Sequence, residues 1–342
     1  MSAITDVARL AGVSKSTASR ALTGRGYVSE ATRRRVTDAA AEIGYIASPN
    51  AASLVTGRSK NVGIVIPFVN RWFFGEVLEG AERALLSAGY DLTLYNLAIS
   101  GPERDRIFDF FLARKRVDAV IAVGVDLTDR EVAVIERRGK PILALGGTAP
   151  GARRLAIDDR AAAALATEHL IKLGHTRIAH LAGAGAGSAA RSVQALRTAG
   201  FRDAMDVAGL TPVGDPDGVV EAEMTVPGGY SAALQLLGHP TARPTAIFAA
   251  SDEIAFGAMR AADRLGIAVP SELSIIGFDG HEHAELFGLT TIEQYPGEQG
   301  RRAVEAVMQW LGEDRPPDES VEADHALTTR LVVRSSTTAP PR

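Results

Sequence analysis

The sequence predicts a multidomain chain: an N-terminal all-α helix-turn-helix head, followed by an α/β body of two Rossmann-like lobes. Three observations carry this reading. Two short helical segments meet at a glycine within the first 22 residues, with small residues where they would cross. From about residue 61, short Val/Ile-rich runs alternate with helical stretches, the pattern of parallel sheets covered on both faces. That alternation falls into two units of roughly equal length. The 342 residues suit two or three domains, and 46% hydrophobic with 23% charged residues excludes a mostly disordered chain.

In the head, Thr5 is expected to N-cap a first helix with Asp6 in its first turn, and Ile4, Val7, Ala8 and Ala11 form a narrow apolar face. Gly12 suits a turn that needs positive φ, and Val13 anchors it. Ser14 N-caps a second helix running to about Leu22, with Ala18, Ala21 and Leu22 facing inward. Ser29 caps a third, with Val36, Ala40 and Ile43 at helical spacing and Gly44 as its stop. The outward side of the second helix carries Lys15, Ser16, Ser19 and Arg20. Lys and Arg read guanine edges in a major groove, and serines reach bases or phosphates.

Charge points the same way. Residues 1–60 hold nine Lys/Arg against four acids, while the rest of the chain is net acidic, so a basic head sits on an acidic body and suits a polyanion. Residues 48–57 follow, with Ser48 as N-cap, Pro49 at N1 and Gly57 as stop. A helix of two turns forms only when docked. It is either a plain linker with incidental apolar residues or a minor-groove wedge led by Leu54.

Taken together these residues resemble the lactose repressor (LacI/GalR) family of bacterial transcription regulators. The likeness begins with Thr5-Asp6-Val7-Ala8, Ala11-Gly12-Val13-Ser14, Thr17-Ala18-Ser19-Arg20, Val28-Ser29 and Gly44-Tyr45. It continues through Val62-Gly63-Ile64-Val65-Ile66-Pro67, Glu168-His169-Leu170, Leu173-Gly174-His175 and Ser274-Ile275-Ile276-Gly277-Phe278-Asp279. It ends with Leu289-Thr290-Thr291, Gln294 and Leu331-Val332-Val333-Arg334. The order and spacing are specific where no single motif is. The resemblance implies a periplasmic-binding-protein-like body and a dimer bound to double-stranded operator DNA. It places base reading on Lys15, Ser16 and Arg20, and backbone contacts on Thr5, Ser14, Thr17, Ser19, Tyr27, Ser29 and Thr32. The minor-groove leucine falls on Leu54 with Ala51 beside it. Thr23 departs from the Asn usual there.

In the body, strand-like runs are expected at 62–67, 90–95, 117–122, 141–145, 177–182, 245–249 and 273–278. Helical stretches are expected near 74–88, 103–115, 128–138, 159–173, 192–208, 229–238, 252–265 and 297–312. Ligands of such folds sit beyond the carboxyl ends of the strands, here in a cleft between the lobes. The aromatics Trp72, Phe73 and Phe74 follow the first strand and suit stacking on a sugar ring, although Phe74 also fits the core of the next helix. The resemblance assigns the ring-stacking role to Phe73, with Trp72 where Pro is usual. It assigns effector contacts to Arg197, Asp279 and Gln294. It also marks Ser251 and Met224, where Asn is usual and an aromatic common, as departures that reshape the site.

The expected boundaries are a helix-turn-helix domain at 1–47, a hinge helix and linker at 48–60, and a body at 61–334. Lobe 1 takes about 61–155 and 293–321, lobe 2 about 156–292 and 322–334, and 335–342 is a disordered tail. That tail has no leucine heptads, so a homodimer rather than a coiled-coil tetramer is expected. Gly183, Gly185 and Gly187 lack the dinucleotide-fingerprint spacing. Asp158 and Asp159 read as the start of a helix. His281, Glu282, His283 and Glu285 are poorly spaced for a single metal, and neither metal nor cofactor is assigned. The absence of cysteines excludes disulfides and thiolate zinc sites. With no long apolar run and no secretory leader, a cytoplasmic protein with no membrane partner is expected. The reading is a transcriptional repressor, not an enzyme, governed by a small molecule, a sugar. The competing reading is a cytosolic solute-binding protein or sugar-modifying enzyme.

Overall fold

The computed structural model describes residues 4–23, 26–45, 58–97, 101–112, 116–184, 192–214, 218–239, 243–312 and 325–341. The chain divides into two compact units, one of residues 1–61 with 114–118, the other of 62–113 with 119–342.

The first unit holds three helices, α1 (Ile4–Leu10), α2 (Lys15–Thr23) and α3 (Glu30–Glu42). They pack on a core of small side chains, Val7, Ala8, Ala11, Ala18, Ala21, Val36, Ala39 and Ala40, which lets short helices approach closely. Gly12 and Gly44 take positive φ at the two helix stops, as their positions in the sequence suggest. Ser14 and Ser29 cap as expected: Thr17 N donates to Ser14 Oγ at 3.1 Å and Thr32 N to Ser29 Oγ at 3.3 Å. Thr5 does not cap, because α1 already begins at Ile4 and Thr5 lies within its first turn. The hinge segment, with Ala51 and Leu54, lies outside the described residues. In the same unit Ser59 and Lys60 donate their backbone N–H groups to the two oxygens of Asp118.

The second unit contains two six-stranded sheets. The first is built from β1 (Asn61–Ile66), β2 (Asp91–Asn96), β3 (Ala119–Val123), β4 (Ile142–Leu145), β5 (Arg153–Ile157) and β11 (His325–Leu327), ordered β11-β5-β4-β3-β1-β2. The second comprises β6 (Ile178–Gly183), β7 (Val219–Ala222), β8 (Ala246–Ala249), β9 (Ser274–Asp279), β10 (Thr290–Glu293) and β12 (Arg330–Val332), ordered β12-β10-β9-β8-β6-β7. The central pairs are parallel and only β12 is recorded antiparallel, on the edge. Central strands such as β3, β8 and β9 are buried at every position, hence their continuous apolar runs.

Helices cover the sheets in pairs. On the first lobe α4 (Trp72–Ser87) packs on α11 (Pro296–Gly312), while α5 (Pro102–Arg106) and α6 (Asp129–Glu136) complete it. On the second, α7 (Asp159–Lys172) packs on α8 (Val193–Val207), and α9 (Val226–Leu237) on α10 (Asp252–Arg264). The predicted 103–115 helix is α5 followed by wider π-helical turns over Ile107–Leu112. Glycine permits the tight crossings: a Cβ on Gly257 of α10 would overlap the Val226 carbonyl of α9, and one on Gly80 of α4 the Gly297 carbonyl of α11.

Two boundaries differ from expectation. β11 pairs in parallel with β5, His325 opposite Leu155, so 325–327 belongs to lobe 1 and the last crossover falls between Leu327 and Arg330. The expected disordered tail is docked by hydrogen bonds through Thr338. Ser336 is 1% exposed, its N–H donates to Gly288 O, and its carbonyl accepts from Ile275 N, each at 2.9 Å. His175 Nε2 lies 2.8 Å from Thr338 O and 3.0 Å from Ser274 Oγ. Small hydroxyl residues let the tail exchange backbone hydrogen bonds with the second lobe, which a composition-based reading of Ser, Thr and Pro misses.

Ser336→Ala removes an Oγ that donates to Ile275 O and accepts from Thr290 N, leaving buried groups unsatisfied. We expect a loss of about 1–3 kcal/mol, read as a lower urea midpoint at unchanged slope. An unchanged midpoint would show that the docked tail contributes nothing.

Candidate functional sites

On the head, α2 buries Ala18 and Ala21 and turns Lys15, Ser16 and Arg20 to solvent. Ser14 Oγ lies 2.9 Å from Ser16 Oγ and 2.8 Å from Thr17 Oγ1, so hydroxyls cluster at the N-terminus of the helix, where its dipole favours anions. The stem of Arg20 lies against Gly26, whose φ of +73° no bulky residue would take easily. Tyr27 is 93% exposed, an unusual position for an aromatic ring without a partner. Ser29 and Thr32 mark the start of α3, their hydroxyls 2.9 Å apart. These exposed cations, hydroxyls and helix N-termini can grip phosphates and reach base edges.

In the body, Trp72, beyond the end of β1, and His281, beyond the end of β9, meet across the two lobes. Arg197, on α8, is 4% exposed. Its Nε donates to Asp159 Oδ1 at 2.9 Å and Nη1 to Ala250 O at 2.6 Å, with Asp279 Oδ1 3.6 Å away. The guanidinium carbon sits 3.7 Å from the centre of the Phe278 ring. Asp279 ends β9 in a left-handed conformation, φ +123°, and accepts from Gln294 Nε2 at 2.6 Å. Gln299 in turn donates to the carbonyl of Gln294 at 2.7 Å. Three expected residues, Arg197, Asp279 and Gln294, therefore meet in one network.

The others diverge. Ser251 is spent as the N-cap of α10, accepting from Ile254 N at 3.2 Å. Phe73 packs edge-on to Phe74 at 5.4 Å, both partly buried against the core. Trp72 stacks on His281 of the other lobe, 4.4 Å between centroids and 26° between planes. Met224 lies beside Gly183, where a Cβ would overlap both its sulfur and Gln194 Oε1.

Sequence reasoning missed four participants. Asp159 follows Asp158, the expected helix start: Asp158 accepts from Ala161 N while Asp159 turns inward to Arg197. Asp252, fully buried, accepts from Thr291 Oγ1 at 2.6 Å and His281 N at 2.7 Å, fixing the turn after β9. Gln299 anchors Gln294. Gln194 stands one turn before Arg197 on the same face, and its buried Oε1 has no partner among the described residues; the i, i+3 spacing was the available signal. The indole Nε1 of Trp72 and Nε of Arg71 are likewise buried without partners among the described residues.

The electrostatics follow from two buried carboxyls, Asp159 and Asp279, around one guanidinium, with Asp252 acting on Asp279's side of the site. Burial raises the Asp159 carboxyl against the pull of Arg197. Burial, then Asp279, raises Asp252 well above the usual range. Burial raises Asp279 to about 7, with Arg197 and Gln294 opposing it. A carboxyl poised there can donate or accept toward a ligand hydroxyl.

Residues 3–49 match the model of bacterial regulatory proteins, lacI family, and residues 167–337 that of a periplasmic binding protein-like domain. The chain is 33% identical over 341 residues to the HTH-type transcriptional repressor PurR of Vibrio vulnificus (strain CMCP6), covering 98% of each chain. Among solved structures it is similar to the lac repressor dimer bound to operator and the anti-inducer ONPF, with TM-score 0.85, 27% identity and 99% of each chain covered. It also resembles a transcriptional regulator CelR–cellobiose complex, with TM-score 0.69, 28% identity, and 98% and 100% of the two chains covered.

A raised carboxyl binds its proton more tightly folded than unfolded, so the contribution of Asp279 to stability falls as pH rises from about 4 to about 7. Asp279→Asn should lose less stability than the parent over that interval in urea titrations. Parallel pH profiles would refute the raised value.

Proposed function

The chain belongs to the lacI family of bacterial regulatory proteins, and we propose that it represses transcription as a homodimer on a palindromic operator, under control of a sugar bound between its lobes. Family membership makes it a DNA-binding transcriptional repressor and removes the enzyme alternative. The observation that carries the DNA reading is the capped helix α2, with Lys15, Ser16 and Arg20 exposed beside the hydroxyls of Ser14 and Thr17. In this proposal Lys15, Ser16 and Arg20 read bases. Thr5, Ser14, Thr17, Ser19, Tyr27, Ser29 and Thr32 hold the phosphate backbone. Leu54, with Ala51 beside it, wedges the minor groove. A dimer puts two such heads on two half-sites, and the similar lac repressor structure is a dimer on operator.

For the cleft, Phe73 and Trp72 supply ring faces, while Arg197, Asp279 and Gln294 supply directional polar groups. Met224 and Ser251 shape the wall. Gln194 Oε1 and Trp72 Nε1, unpartnered among the described residues, ask for a donor and an acceptor, which a polyhydroxylated ring offers together. Cellobiose in the CelR complex is a precedent for that chemistry on this fold. Effector binding draws the lobes together and changes operator affinity, and linkage requires the operator to change effector affinity by the same factor, roughly 5–150-fold. No helix among the described residues is long and apolar enough to cross a membrane, which suits a cytoplasmic regulator.

The test is selection of binding sites from random duplex DNA, then titration of the recovered site with mono- and disaccharides. A palindrome released by one sugar supports the whole reading; a palindrome indifferent to all of them refutes the sugar, and no enriched site at low salt refutes operator binding. Arg20→Ala should lose about 1–3 kcal/mol of discrimination at one base position, measured by competition with single-base variants. Gln194→Leu should weaken binding of the identified sugar several-fold without moving operator affinity, measured by calorimetry.

A further inference from the structure

His281, Glu282 and His283 occupy the tight turn that follows β9, directly after Asp279 and Gly280. Alternating spacing argues against a single ion on an extended strand, where neighbours point to opposite faces. Here the chain leaves β9 and enters a 3₁₀ turn at Glu282, which gathers the three side chains on one side. One ligand atom from each lies within 4.8 Å of the others, the only such trio among the described residues. Glu282 and His283 are exposed and His281 is half-buried, so the group is open to an ion from solvent.

The surroundings favour a cation and prepare the ligands. Glu76 on α4 of the opposite lobe lies within electrostatic reach of Glu282, so the turn faces a further carboxyl. His283 presents its ring 4.9 Å, between centroids, from the half-buried His281 ring. That ring is already oriented, stacked on Trp72 and edge-on to Phe256 at 5.2 Å. Two imidazoles and one carboxylate suit zinc, nickel or copper rather than magnesium or calcium, and three ligands leave positions for water.

We propose that the His281–Glu282–His283 turn binds one divalent transition-metal ion beside the Trp72–His281 contact between the lobes. Binding has a structural consequence. His281 Nδ1 now accepts from the backbone N–H of His283 at 3.0 Å, so the ring proton resides on Nε2. Coordination through Nε2 moves that proton to Nδ1 and breaks this hydrogen bond; coordination through Nδ1 displaces it directly. Either way the ion rebuilds the turn adjoining Asp279 and the ring on which Trp72 stacks, which makes the metal a second input to the contact between lobes.

The test uses the full chain without a histidine tag, stripped with chelator and titrated with zinc chloride, then nickel chloride, by calorimetry. Tryptophan fluorescence is followed in parallel with nickel. One ion per chain is expected, with quenching of Trp72, one of only two tryptophans. His283→Ala and Glu282→Gln, both at exposed positions, should each weaken binding at least ~10-fold. Trp72→Phe should keep the stoichiometry and lose the quenching. No saturable uptake at millimolar metal, uptake unchanged in both ligand variants, or quenching that persists in Trp72→Phe would each overturn the proposal. The readout is metal alone, so it stands or falls separately from operator and sugar binding.

Discussion

Arg197 lies beneath the face where the two lobes meet, cut off from water, and its charge must be met where it sits. Removing an ion from water costs several kcal/mol, recovered only through close partners. Those partners come from three directions: Asp159 at the start of α7, the Ala250 carbonyl at the end of β8, and Asp279 at the end of β9, with the Phe278 ring underneath. Holding the guanidinium therefore fixes the relative positions of two helices and two strand ends. It also decides which acids keep protons, because one cation faces two buried carboxyls, Asp159 and Asp279. Most of the cleft wall of the second lobe follows from this neutralisation.

The head and the central strands were legible because each local signal agreed with the packing. Ser14, Gly12 and Gly44 perform the backbone roles their residue types dictate, and the Val/Ile runs of β3 and β9 are strands buried on both sides. What escaped was structure made by partners distant in sequence. β5 opens with Arg153 and Arg154, and β10 with Thr290 and Thr291; neither looks apolar, yet both pair centrally in their sheets. Thr291 can be buried because Asp252, 39 residues earlier, accepts its hydroxyl. The tail docks for the same reason, its serines and threonines meeting His175, Ser274 and Thr290.

The candidate sites divide along the same line. Exposed head residues were found because exposure follows from helical period. In the cleft, residue type indicated Arg197, Asp279 and Gln294 but not their state of engagement. Ser251 looked available and is a cap; Gln194, which the sequence reading did not single out, carries a buried oxygen unpartnered among the described residues. The histidine turn was discounted on spacing, and only the departure of the backbone from strand to 3₁₀ geometry brings its side chains together.

The returning path of the chain has a consequence for synthesis on the ribosome. β1 through β5 emerge early, yet α11 and β11, which cover and extend that sheet, emerge only after the entire second lobe. Until residue 327 is made, β5 presents an unpaired edge and the α4 surface that receives α11 is bare. Exposed edges and apolar faces invite association between nascent chains, and contacts this far apart close slowly. The second lobe can assemble its own interior sooner, but it too awaits β12 and the tail. Lobe 1 waits for residue 327 and lobe 2 for β12 and the segment through Thr338, so the two mature together rather than in succession.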